Sequence, residues 1–81
     1  RLARFRYRVE GSMEAYDRVV TFDVCDAGRV LVSKALSSPQ VRAGEYQTVD
    51  LRFRAQQGQR LEFRTWCGSN YELAVDKVLV R

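Results

Sequence analysis

Histidine is absent from this 81-residue chain, proline occurs once and cysteine twice. Without histidine there is no Ser-His-Asp or Cys-His catalytic set, and no zinc site built on an imidazole. Cys25 and Cys67 stand far apart with no C-x-x-C spacing, which removes a structural zinc cluster. No apolar run approaches the roughly 18 residues that a membrane-spanning helix needs. Basic runs are missing too, since fourteen Lys and Arg are scattered among ten Asp and Glu for a net charge of +4. Interspersed charge of this kind does not make a nucleic-acid arm, so neither nucleic acid nor membrane is expected as a partner. The length allows one small domain, residues 1–81, with a thin core. The first residue is Arg1 rather than Met, and we expect a module from a longer protein, with the rest of that chain beside it.

What is present is alternation. Ala3, Phe5, Tyr7 and Val9 interleave with Arg4, Arg6 and Arg8, the pattern of a strand with one buried and one wet face. Val20, Phe22 and Val24 repeat it, as do Val49, Leu51 and Phe53, then Leu61 and Phe63. Val30 to Leu36 and Leu73 to Val80 add two less regular candidates. In the last, the apolar phase slips between Val75 and Val78, which predicts a bulge near Asp76 and Lys77. Six such segments and no helical period predict an all-β fold: an antiparallel two-sheet sandwich, jelly-roll-like. Asp26-Ala27-Gly28 and Gln56-Gln57-Gly58 read as hairpin turns, and Cys67-Gly68-Ser69-Asn70 as a third tight turn. Two longer loops remain, Glu10 to Arg18 and Ser37 to Gly44, the first with Ser12 as a helix N-cap candidate.

Alternation also places the thiols. Cys25 falls in the outward register of its segment and Cys67 in the inward register, so a disulfide between them is disfavoured. Two free thiols suit a reducing compartment, and the expected location is cytoplasmic, as part of a larger enzyme.

Three stretches carry a family likeness. Gly44-Glu45-Tyr46-Gln47-Thr48-Val49-Asp50-Leu51-Arg52-Phe53 resembles the G-x-Y-Q-x-(apolar)-x-L-x-F strand of jelly-roll carbohydrate-binding modules. Arg60 to Gly68 resembles the strand and aromatic turn that follow it, and Leu73 to Val80 the closing strand. The likeness is to family 6 and family 35 modules, of the kind joined to bacterial glycosyltransferases and other polysaccharide-processing enzymes. It implies a glycan or polysaccharide partner and no catalysis. Asp76 matches the closing-strand acid of a calcium site in those families, but the N-terminal acids that would complete it have no counterpart here. Calcium needs roughly six to eight oxygens, so no metal and no cofactor is expected.

Trp66 is the leading site candidate. It is out of phase with Leu61 and Phe63 and lies beside a turn, where an exposed indole offers a flat apolar face to a pyranose ring. Asn70 brings both a donor and an acceptor, and Tyr71, Tyr16 and Tyr46 extend the platform if the loops converge. The outward arginines Arg4, Arg6, Arg8, Arg52, Arg54 and Arg64 make a basic surface for an acidic glycan if their strands share a sheet. The favoured reading for them is a solvated face with cross-strand pairs to Asp23, Asp50 and Glu62. The expected function is therefore non-catalytic carbohydrate binding, centred on Trp66 with Asn70, Tyr71 and Tyr16. The alternative is a structural or oligomerisation sandwich without a ligand, in which an exposed edge strand pairs copies into a homo-oligomer.

Overall fold

Strands form where the alternation runs. The computed structural model describes residues 1–11, 18–68 and 71–81. In it β1 (Leu2–Glu10), β2 (Arg18–Asp26), β3 (Arg29–Ser37), β4 (Gln47–Arg52), β5 (Leu61–Cys67) and β6 (Glu72–Val80) build two antiparallel three-stranded sheets. One sheet has the order β4-β1-β6, the other β3-β2-β5. The ladders stop at β4 and β6 in one and at β3 and β5 in the other, so among the described residues the sheets form an open sandwich and do not close into a barrel. A 3₁₀ turn, Ser38–Gln40, follows β3. No helix among the described residues is long and apolar enough to cross a membrane.

The two central strands carry the core. Ala3, Phe5, Tyr7 and Val9 of β1 and Val20, Phe22 and Val24 of β2 are fully buried. Phe22 sits between the Phe5 and Tyr7 rings, with centroids 5.0 and 4.9 Å away and the planes tilted, the geometry that aromatic quadrupoles favour. Phe63 extends this cluster edge-on to Phe5 and Phe53. On the β3/β4 side Leu36, Val49 and Leu51 seal the core. On the β5/β6 side the inward residues are less covered: Leu61, Phe63, Leu73 and Val78 are only partly buried, and Val75 and Val80 are exposed.

One turn departs from its sequence reading. Asp26 to Arg29 is a true hairpin between β2 and β3, with φ of 49° at Ala27 and 86° at Gly28. Both are positive, as a two-residue turn matched to strand twist requires, although Ala27 has no glycine freedom. The Gln56-Gln57-Gly58 turn does not join a hairpin: β4 pairs with β1 and β5 with β2, so the chain crosses between sheets there. The turn after Cys67, closed by the Tyr71 amide donating to the Gly68 carbonyl at 3.0 Å, likewise leads from one sheet to the other. Period-two alternation says which face a residue takes and is silent on which strand it pairs with. The bulge in β6 falls where the phase slips, with Arg6 opposite Lys77, Tyr7 opposite Val75 and Asp76 as the extra residue. Ser12 and its loop lie outside the described residues.

Candidate functional site

The outer face of the β3-β2-β5 sheet is built in three rows. Trp66 of β5, Thr21 of β2 and Ala35 of β3 form one; Arg64, Asp23 and Ser33 the next; Glu62, Cys25 and Val30 the third. Because Leu61, Phe63 and Cys67 point to the core, the same alternation drives Trp66 outward. Thr21 and Ala35 are too small to cover it, and Trp66 is 47% exposed.

Arg64 braces the indole. Its guanidinium lies 4.8 Å from the Trp66 ring centroid and donates twice to Asp23, Nε to Oδ1 and Nη2 to Oδ2, each at 3.0 Å. Asp23 is buried on this outer face, and Cys25 Sγ donates to its Oδ1 at 3.4 Å. A carboxylate removed from water needs such a partner, and the forked bond to Asp23 raises the Arg64 pKa above its ordinary value. Burial, reinforced by the bond to Asp23, pushes the Cys25 thiol up as well, which makes it a poor nucleophile near neutrality. Beside the indole is a hollow of about 220 Å³ lined by Val19, Val20, Thr21, Trp66, Cys67 and Gly68.

The other sequence-predicted site residues do not gather here in full. Tyr71 is buried in the core cluster rather than displayed on the outer face, and its carbonyl accepts from Cys67 Sγ at 3.4 Å. Asn70 and Tyr16 lie outside the described residues. Tyr46, just before β4 of the opposite sheet, stays exposed with the Arg6 and Arg8 guanidinium groups over its ring at 4.1 and 5.1 Å. Cys25 and Cys67 are both free thiols.

Two further groups of arginines stand apart from the indole. Arg4, Arg6 and Arg8 share the outer face of β1, but each meets a carboxylate there. Arg4 is bidentate to Asp50 at 2.7 and 2.9 Å, which pulls the Asp50 pKa below its ordinary value. Arg6 bonds to Asp76, and Arg8 Nε lies 3.3 Å from Glu10 Oε1, outside hydrogen-bond geometry. That face is a charge-balanced ladder. Arg1, Arg29, Arg52 and Arg54 instead surround a hollow of about 660 Å³ with Leu31, Phe53, Gln56 and Gln59, and no carboxylate lines it. Sequence reasoning singled out Arg52 and Arg54 but not Arg29, whose signal was its place directly after a hairpin turn.

Among the described residues no group of three or more His, Cys, Asp or Glu is placed to hold a metal ion. Asp76 faces a guanidinium, so the described residues do not assemble the calcium site of the resembled families around it. Compared with protein-family models, with curated proteins and with solved structures, the chain matches none.

Proposed function

We propose that the chain is a non-catalytic glycan-binding module of a larger polysaccharide-related protein, of the kind joined to glycosyltransferases, with Trp66 as its stacking platform. One observation carries the reading. The only tryptophan stands nearly half exposed on an edge strand's outer face, where core packing has no use for it. Leaving a large aromatic wet forfeits hydrophobic stabilisation that a bound apolar surface recovers, and the C–H face of a pyranose is such a surface. Arg64, fixed by Asp23, holds the indole in place, so less side-chain freedom is lost on binding. The Thr21 hydroxyl and the adjoining hollow offer polar neighbours of the kind that sugar hydroxyls require. The strand order supports the jelly-roll likeness: β1 and β2 take the centres of opposite sheets, and the chain changes sheet at every connection except the β2–β3 hairpin.

The test is a titration with neutral and acidic polysaccharides, following Trp66 fluorescence at low and high salt. A shallow platform binds near the millimolar range, about 4 kcal/mol, so high ligand concentrations are needed. A saturable, salt-insensitive change with a neutral glycan is the expected result. Salt-sensitive binding confined to acidic polymers transfers the site to the hollow around Arg29, Arg52 and Arg54. No response to any polymer overturns the glycan reading.

A further inference from the structure

Among the described residues, three of the six exposed large apolar ones, Val75, Leu79 and Val80, lie on β6, an edge strand that pairs there only with β1. Exposed apolar edges are unusual because they invite pairing with another strand. The opposite edge strand β3 shows the usual defence, with the exposed Lys34 set opposite Phe22 in the inward phase. β6 has a different character. Its inward residues are Leu73, Val75, Val78 and Val80; its outward residues are Glu72, Ala74, Lys77 and Leu79. Asp76, the bulged residue, is outward too, because it bonds to outward Arg6.

We propose that β6 is a homodimerisation edge, pairing antiparallel with β6 of a second copy about a two-fold axis between Asp76 and Lys77. In that register Glu72 faces the partner's Arg81, Leu73 the partner's Val80, Ala74 the partner's Leu79, Val75 the partner's Val78 and Asp76 the partner's Lys77. Every inward residue meets an inward apolar residue, and each charge meets its opposite. The bulge makes the register unique. A shift by one residue sets inward against outward positions, and a shift by two places Asp76 against the partner's Val75 or the partner's Leu79. A bulge ordinarily blunts an edge, but here the two-fold sets the two bulges opposite one another, so the ladder stays in step on both sides.

The backbone agrees. Leu2 and Arg81 exchange two hydrogen bonds at 2.8 Å, so Arg81 turns its polar groups toward β1. Alternation then leaves those of Val80 and Val78 on the open edge, and past the bulge those of Val75 and Leu73. These four residues pair with one another in the proposed register. The result is a continuous six-stranded sheet across the dimer, isologous as a two-fold contact must be. The inference rests on β6 and not on Trp66, so it stands or falls independently of the glycan reading.

The test is sedimentation equilibrium of residues 1–81 up to about 1 mM, since a single-strand interface is small and binds weakly. A monomer–dimer equilibrium is expected. Val80→Lys, an inward-pointing charge on the edge, abolishes it while circular dichroism stays unchanged. Glu72→Arg and Arg81→Glu each weaken the dimer roughly tenfold, because each creates two like-charge contacts, and the double swap restores it. A strict monomer across the whole range overturns the proposal. So does a dimer that ignores Val80→Lys, or one that the double swap fails to restore.

Discussion

Phe22→Ala probes the account of this sandwich most sharply. The ring is fully buried at the centre of β2, with Phe5 and Tyr7 of the opposite sheet at 5.0 and 4.9 Å. Truncating a buried Phe costs about 3–5 kcal/mol from lost transfer free energy and the cavity left behind. An 81-residue domain has only about 4–12 kcal/mol of total stability, at roughly 0.05–0.15 kcal/mol per residue. The variant is therefore expected to be marginal or unfolded in water. Val80, also inward-facing but 39% exposed at the open side, provides the control. Val80→Ala removes two methyl groups from a half-wet position and costs under about 1 kcal/mol in the monomer. The assay is equilibrium urea unfolding at a concentration low enough to keep the chain monomeric, followed by far-ultraviolet circular dichroism. With a slope near 1 kcal/mol per molar urea, Phe22→Ala lowers the midpoint by about 3 M or more, and Val80→Ala by less than about 1 M. If the two variants lose similar stability, or Phe22→Ala loses less than about 1.5 kcal/mol, the core is not centred on the β1–β2 aromatic contact.

Two further outcomes follow from local geometry. Ala27 carries a positive φ of 49° without the freedom of glycine, so Ala27→Asn, which tolerates that conformation, is expected to add about 0.5–1 kcal/mol and raise Tm by a few degrees; an unchanged or lower Tm contradicts the turn assignment. Asp50 has a folded pKa depressed below 3.8, chiefly by its hydrogen bond from Arg4, so its contribution is present above that value and is lost as pH falls through the folded pKa. The stability gap between the native chain and Asp50→Asn should thus be constant near neutrality and narrow below about pH 4, read from urea midpoints at several pH values; a gap independent of pH refutes the pairing.

Much of this was legible in the alternation of residues. Phe5, Tyr7, Phe22 and Val24 took the core positions that period two assigns them, and the slip between Val75 and Val78 marked the bulge at Asp76. Pairing partners were not legible, because strand ladders are made by backbone groups that every residue shares. That is why the turn at Gln57 reads as a hairpin although it joins strands of different sheets. The arginines show the same limit. Cross-strand pairing to Asp50 was among the readings for Arg4, Arg6 and Arg8, but that Asp50 meets Arg4 and Asp76 meets Arg6 depends on β4 and β6 flanking β1. Cys25 had an outward register and is nonetheless buried, because it sits at the centre of its sheet's outer face between Glu62 and Val30. Trp66 was legible as an outward residue; that Arg64 and Asp23 brace it depends on β2 lying beside β5.

The most direct test of the glycan reading is calorimetric titration of three proteins, the native chain, Trp66→Ala and Arg54→Gln, with whichever polysaccharide gives the strongest fluorescence response. Trp66→Ala is expected to abolish binding while retaining the β-sheet circular dichroism, and Arg54→Gln to bind as the native chain does. Native-like affinity in a folded Trp66→Ala variant would contradict the glycan reading.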